Sequence, residues 1–404
     1  MSTSLLYHGF RIRGYHHVRT DFVDGEIHFT IRQESDTLRC PRCGSRHVRP
    51  KGRVVRKFRC LPIGSKPVKV ILPIARVACQ KCQLVRQVTV SFADPRRTYT
   101  RSFERYVLEL CRSMTIKDVA DHLRVSWGTV KDIQKRYLRQ RYARPKLKHL
   151  RRIAIDEIAT SKGHHYATVV LDLETGAVVF VGDGKHADAL KPFWKRLRAS
   201  RARIEAVAID MSLAYIEAVS SHLPEAAIVF DHFHIIKGLN DRLTTLRQQM
   251  YREVSGRLQK AVLKGTRWLL LKNPENLNEK RNERERLEEA LELNRPLAVA
   301  YYLKEDLRQL WQQPNKVAAE AFLTRWIVKA QTSGIRQLLS FAKTLAFHRW
   351  GILTWYDYPI TTGPLEGTNN KIKTMKRQAY GFRDQEFFRL KILGLHETRY
   401  ALVG

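Results

Sequence analysis

The hydrophobic pattern of this chain changes period several times, and each change predicts a different kind of element. Residues 1–37 alternate weakly between apolar and polar, which predicts an N-terminal arm with short strands. Residues 38–95 are broken by glycine and proline and end at Asp94-Pro95. Residues 100–138 switch to helical spacing. Phe103, Tyr106, Val107 and Leu110 form one stripe, Ile116, Val119, Ala120 and Leu123 a second, and Val130, Ile133 and Tyr137 a third. Residues 139–152 are dominated by arginine and lysine and read as a basic linker. Short apolar runs then appear at 153–156, 166–173, 177–182, 205–210 and 226–231, with helical patterns around 187–200 and 213–222. Three early strands followed by βαβ-type crossings predict an α/β core over 153–237. From 238 to about 350 the pattern is helix after helix, broken at Asn273-Pro274, Arg295-Pro296 and Pro314. The α/β pattern does not resume, so 238–350 is expected to be an all-α insertion. Residues 351–404 are expected to complete the same catalytic domain.

Three of the apolar runs end in aspartate: Ile153-Ala154-Ile155-Asp156, Val207-Ala208-Ile209-Asp210 and Ile228-Val229-Phe230-Asp231. A glutamate, Glu366, follows far downstream in a basic helix that begins near Pro364. Acids at the ends of buried strands are costly unless something pairs with them. Within the first two runs Ala154 and Ala208 share the face of the aspartate, leaving room beside it. Taken singly, a strand-end aspartate is most simply a cap on the next element; repetition argues otherwise. The chain has 404 residues, with 73 Lys plus Arg against 39 Asp plus Glu, a net charge of +34. That charge calls for a polyanionic partner. An architectural nucleic-acid binder would share it but has no use for strand-end acids. Acids converging in so basic a chain point to divalent metal held against nucleic-acid phosphate. No segment approaches 18 uncharged apolar residues, which argues against a membrane partner. The N-terminus has no apolar signal-peptide core, so a cytoplasmic, reducing, nucleoid-associated setting is expected.

Cys40-Pro41-Arg42-Cys43 and Cys79-Gln80-Lys81-Cys82 form two Cys-x-x-Cys pairs, a thiolate set suited to structural Zn²⁺. The long gap between the pairs implies an inserted hairpin. Cys60 and His47 are alternative ligands, and Cys111 sits on an apolar helical face. Residues 115–135 have the layout of a helix-turn-helix, with Thr115 and Ser126 as caps. Trp127, Thr129, Lys131, Asp132 and Lys135 are left outward, on or near the face that would enter a major groove. In the last basic helix Glu366, Asn370, Lys373 and Arg377 fall on one stripe, opposite an expected buried stripe of Leu365, Ile372, Met375 and Ala379. One face thus carries a carboxylate, an amide and two cations, which fits a metal ligand followed by phosphate contacts. Trp268, beside Arg267, has two readings: stacking on an extruded base, or a core position between Leu263 and Leu269.

The order of these motifs resembles the bacterial insertion-sequence transposases of the ISL3 family. The resemblance rests on the zinc segment, the helix-turn-helix, Ile155-Asp156-Glu157, Ala208-Ile209-Asp210-Met211-Ser212 and Phe230-Asp231-His232-Phe233-His234. Its most specific part is Glu366-Gly367-Thr368-Asn369-Asn370-Lys371-Ile372-Lys373, followed by Lys376-Arg377-Gln378-Ala379-Tyr380-Gly381-Phe382-Arg383. It implies an RNase H-like catalytic domain with a DDE triad, Asp156, Asp210 and Glu366, holding two Mg²⁺ (or Mn²⁺) ions. Asp231 and His234 look like an accessory motif of related DDE enzymes, with a structural hydrogen bond an equal reading. The resemblance also implies double-stranded DNA, both element ends and target, as partner. A homodimer or larger assembly is expected in the DNA complex. The rival functions are a DNA-binding regulator derived from such an enzyme and an RNase H-like nuclease with no joining activity.

Overall fold

A computed structural model of the chain describes residues 4–161, 165–184, 186–256, 262–264, 266–292 and 294–397. The chain divides into two compact units, residues 1–143 with 375–404, and residues 144–374.

The first unit opens with a short helix, α1 (Leu5–His8), and a five-stranded sheet. Its strands are β1 (His16–Val23), β2 (Glu26–Arg32), β3 (Val48–Ile63), β4 (Lys66–Cys79) and β5 (Val85–Gln87). The order is β1-β2-β4-β3, with β5 also on β4. Asp24 and Gly25 turn β1 into β2 with positive φ at both positions, the twist a two-residue hairpin needs. β3 and β4 are the hairpin expected between the cysteine pairs, in register from Val48 opposite Cys79 to Ile63 opposite Lys66. Residues 1–37 are not a separate arm. β2 pairs in parallel with β4, and Ile27, Phe29 and Ile31 bury against Phe58, Val68, Val70 and Leu72. A parallel partner some forty residues downstream leaves no trace in local periodicity, which is why this half of the sheet read as an appendage.

Three helices follow, α2 (Arg101–Leu110), α3 (Ile116–Leu123) and α4 (Trp127–Tyr142). They close on Phe103, Val107, Val119, Leu123, Val130 and Ile133. The expected caps form: Thr115 accepts from the Asp118 amide within a capping box, and Ser126 accepts from the Thr129 amide. α4 continues to Tyr142, so the first four residues of the expected linker are helical.

The second unit holds β6 (Arg152–Ser161), β7 (His165–Asp172), β8 (Val178–Asp183), α5 (Lys191–Ser200), β9 (Ala206–Ile209), α6 (Leu213–His222) and β10 (Ala227–Phe230). The sheet order is β10-β9-β6-β7-β8; β6, β7 and β8 are antiparallel, while β9 and β10 run parallel to β6. The helical insertion comprises α7 (His232–Glu253), α8 (Arg267–Leu271), α9 (Glu283–Glu292), α10 (Arg295–Arg308), α11 (Lys316–Thr332), α12 (Arg336–Phe347) and α13 (Arg349–Leu353). Its side chains share one apolar core with the sheet, from Ile153 and Val207 to Trp326 and Phe341. α13 crosses β10 so closely that a Cβ at Gly351 would lie 2.5 Å from the Phe230 ring, so only glycine fits there.

The chain closes with α14 (Gly363–Gln378) and α15 (Gln385–Leu393). Residues from Met375 onward pack with the first compact unit, whereas the start of α14 packs with the second. Asp384 caps α15 by accepting from the Phe387 amide at 3.0 Å. Gly394 approaches Leu138 and Tyr142 of α4 so tightly that a Cβ would come within 2.8 Å of Leu138. This packing joins residues some 250 positions apart, beyond the reach of a period read along the sequence.

Candidate functional site

The strand register puts the three aspartates in one row. Ala154 of β6 stands opposite Ala208 of β9, and Ala208 opposite Val229 of β10. Two residues further along, the same register sets Asp156 beside Asp210 and Asp210 beside Asp231. Neighbouring strands lie about 4.8 Å apart, and the row sits just past the carboxyl ends of β9 and β10, where α/β sheets bind ligands, and midway along β6, which runs on to Ser161. The Asp231 amide donates to the Ile209 carbonyl at 3.1 Å, extending the ladder to the row itself.

Each acid is held differently. Asp156 is half-buried; its Oδ1 accepts from the Glu157 amide at 2.7 Å and its Oδ2 from Asn369 Nδ2 at 2.8 Å. Burial is the main cause pushing the Asp156 carboxyl above the usual range, and the neighbouring charges of Asp210 and Asp231 add to it. The Glu157 amide and His234 pull the other way. Asp210 Oδ1 accepts from the Ser212 amide at 3.0 Å. Asp231 is 1% exposed; its Oδ1 accepts from the Thr362 amide at 3.2 Å, fixing the start of α14, and its Oδ2 is buried with no partner. Asp231 therefore does make the structural hydrogen bond that was one of its two readings.

Glu366 is half-buried in the first turn of α14, its amide donating to the Thr362 carbonyl at 2.8 Å. It lies one helical turn before Asn369, about 5–6 Å between Cβ atoms. Asn369 is the residue that sequence reasoning missed: the amide expected to serve the site was Asn370, which is exposed. Asn369 is 5% exposed, binds Asp156 and leaves its Oδ1 without a partner. Its spacing of three from Glu366 was the available signal. Among the described residues, Asp156, Asp210 and Glu366 do not gather to within 4.8 Å as a group. The three carboxylates nonetheless offer the all-oxygen chemistry of a hard divalent cation; the charges of Asp210 and Asp231 disfavour ionised Asp156, and beside the set Asp231 Oδ2 and Asn369 Oδ1 are buried without partners.

The four knuckle cysteines do gather, with all four Sγ atoms within 4.8 Å of one another. Cys40 lies 3.5 Å from Cys82 and Cys43 lies 3.6 Å from Cys79, close to the roughly 3.8 Å edge of a tetrahedron with Zn–S bonds of 2.3 Å. Backbone amides of Cys43 and Arg42 lower the Cys40 thiol to about 6, while burial pushes its neighbour Cys82 up to about 12. Neither Cys60 nor His47 joins the group. Cys60 is fully buried, accepts from Thr100 Oγ1 and is pushed up to about 11 by burial. Cys111 is likewise a core thiol, pushed up to about 11 by burial.

On α4 the expected outward face is only partly free. Trp127 is half exposed, and the Thr129 hydroxyl hydrogen-bonds Ser126 at 2.8 Å. Lys131 and Lys135 are not free: both pair with Asp384, at 2.9 and 2.8 Å, and Lys135 also reaches Glu386 at 3.0 Å. Their acidic partners come from the far end of the chain, so a helical projection of α4 could not show them. On α14, Asn370, Lys373 and Arg377 are exposed as expected, and Leu365, Ile372 and Met375 are buried. Ala379 lies past the end of that helix and is exposed, which removes it from the buried stripe. Trp268 is 64% exposed with the Arg267 guanidinium 4.7 Å from its ring centre, which rules out the core reading.

Residues 153–392 match the ISL3 transposase family model of DDE type. The chain belongs to the ISL3 family of transposases. Residues 88–138 match the helix-turn-helix domain of the same family, and residues 36–82 the zinc finger of the IS204/IS1001/IS1096/IS1165 transposases. The chain is 34% identical to the transposase for insertion sequence element IS1001 of Bordetella parapertussis, over 90% of this chain and 89% of that protein. It is 30% identical to the transposase for element IS1557 of Mycobacterium tuberculosis, over 93% and 89%. A looser likeness is to the Drosophila P element transposase strand transfer complex, at 11% identity and a TM-score of 0.34, over 64% of this chain and 79% of that one. This family transposase thus carries a DNA-binding helix-turn-helix and a zinc ribbon whose four cysteines are in place. Among its described residues no helix is long and apolar enough to cross a membrane.

Proposed function

We propose that this transposase binds the terminal inverted repeats of its element, hydrolyses phosphodiester bonds at the ends and joins the freed 3′-hydroxyls to target DNA. The observation that carries the reading is the Asp156–Asn369 hydrogen bond, which brings the Glu366 helix to a register row of aspartates. The catalytic unit is then an RNase H-like core, residues 153–237, interrupted by the helical insertion and completed by the first half of α14. Asp156, Asp210 and Glu366 would hold two Mg²⁺ ions, whose Lewis acidity would lower the pKa of the attacking hydroxyl and stabilise the leaving oxygen. Asp231 keeps the start of α14 in place through Thr362, and Asn369 fixes the orientation of Asp156. Trp127 and Thr129 would read the element end, Asn370, Lys373 and Arg377 would contact backbone phosphate, and Trp268 would stack on a base.

The test is cleavage of a labelled element end, followed by strand transfer of a pre-cut end. Asp156→Asn, Asp210→Asn and Glu366→Gln should each abolish both with Mg²⁺ present. Each removes an anion facing phosphate, so binding in chelator should be kept or strengthened. Substantial cleavage by a folded variant would remove that residue from the set.

A further inference from the structure

A second basic feature lies within the 144–374 unit, on residues that neither the aspartate row nor α14 uses. A cavity of about 400 Å³ opens between α5 and the end of α6, lined by Lys191, Trp194, Lys195, Arg198, Ala199 and His222. No carboxylate lines it. Trp194 is 4% exposed, and its indole N–H is buried with no hydrogen-bond partner. An indole nitrogen donates and cannot accept. Lys195 and Arg198 are exposed at the rim, and Lys191 is shared with Asp188 at 2.8 Å. His222 stacks on the Trp194 ring with centroids 5.1 Å apart, and its Nδ1 is 2.9 Å from the Ala218 carbonyl, which fixes the proton there.

We infer that this cavity is a phosphate-binding site for a nucleic-acid backbone, distinct in residues from the proposed catalytic set. Its lining offers donors and positive charge to a ligand that must supply acceptors and negative charge, which is the chemistry of a phosphate group. Two sources could bring one, a DNA strand or a free nucleotide. Lys191, Lys195 and Arg198 fall at i, i+4 and i+7 on α5, about 6 and 4.5 Å apart along the axis. A row of cations suits a linear polyanion better than a single small ion. The ring face of Trp194 is already covered by His222, which leaves no platform for a base. The inference builds on the reading of this chain as a DNA-processing enzyme, yet its test does not require cleavage.

Lysines of the full-length, zinc-loaded protein are acetylated at low reagent concentration and read by mass spectrometry. The reaction is run alone, with a short duplex of arbitrary sequence, with pyrophosphate, and with ATP. The duplex should protect Lys195 more than exposed Lys280, while pyrophosphate and ATP at equal phosphate concentration should not. Arg198→Ala should reduce the slope of log affinity against log salt by about 0.9, one phosphate contact. Protection by ATP or pyrophosphate but not by duplex would overturn the backbone assignment in favour of a nucleotide site. Equal reactivity of Lys195 under all conditions would overturn the site. A protein that protects Lys195 but never cleaves an element end would refute the proposed function alone.

Discussion

Asp384 does two jobs that substitution can separate. It caps α15 and it neutralises Lys131 and Lys135 on α4. Asparagine caps a helix about as well as aspartate, so Asp384→Asn removes the charge and keeps the cap. The two ion pairs are about three-quarters buried, with side-chain exposures of 24% for the acid and 19–21% for the lysines. Each is worth up to about 1 kcal/mol, so Asn should cost about 1–2 kcal/mol in the stability of the first unit. Ala loses the cap too, adding about 1 kcal/mol. The Lys135 hydrogen bond, followed by Lys131, holds the Asp384 carboxyl well below the usual carboxylate range, against the effect of burial. A depressed acid contributes stability that is present above its unfolded value, about 3.9, and lost as pH falls through the folded value. The gap between wild type and the Asn variant should therefore be constant from neutral pH down to about pH 5 and close in strong acid.

The functional consequence is opposite in sign. Asp384→Asn frees Lys131, whereas Glu386 still holds Lys135 at 3.0 Å, so one cation is handed to α4. If it reaches phosphate, the slope of log affinity against log salt steepens by about 0.9, and binding to arbitrary duplex tightens at low salt. Urea unfolding followed by near-UV signal, together with fluorescence anisotropy at several salt concentrations, reads both effects. An Asn variant with the salt slope of wild type would refute the idea that Asp384 withholds Lys131 from DNA. Asn and Ala variants equal in stability would refute the cap.

Asn369→Ala should lower Mg²⁺-dependent cleavage by about 10–100-fold, the usual cost of losing a partner that orients a metal ligand, with zinc content and chelator-state DNA affinity unchanged; undiminished cleavage would sink its positioning role. Purified protein should contain zinc near one equivalent by metal analysis; Cys43→Ser should lower it, whereas Cys60→Ser should not, because the Cys60 thiol lies in the apolar core. Trp268→Ala should leave the thermal midpoint nearly unchanged because the ring is exposed, and should weaken binding to single-stranded DNA by about 1–3 kcal/mol; a large drop in midpoint with binding intact would exclude the stacking role.

How far the sequence carried the reading depended on the range of the interaction involved. The three aspartates were legible because each closes its own apolar run, and the Ala-x-Asp spacing gave the face before any partner strand was known; Asp156 alone is not a strand end, because pairing with β7 carries β6 on to Ser161. The capping box at Thr115 and the paired cysteines were legible for the same reason: their chemistry is settled within a few residues. What failed was non-local. β2 lies beside β4 only because both feed one apolar core, and its alternation alone matched any short strand. Lys131 and Lys135 projected outward on a bare helix, and only the return of the chain at Asp384 changes their state. Asn369 and Asn370 are neighbours in sequence, and a stripe drawn at i+4 chose the one that faces solvent.

Asp231 shows why the row and α14 belong to one argument. One of its oxygens receives the Thr362 amide and sets where α14 begins; the other is buried without a partner. A carboxylate in that position is expensive unless positive charge arrives. Asp156 carries the same cost, its carboxyl raised by burial and by Asp210 and Asp231. Replacing the row with apolar residues would make a more stable sheet and leave α14 unanchored at both Thr362 and Asn369. The arrangement therefore sacrifices stability in the free protein to keep carboxylates, an amide and the Glu366 helix in one place. That trade is intelligible for a cation site, where binding restores what folding gave up, and not for a protein that only binds DNA, where unpaired anions facing phosphate would oppose the ligand.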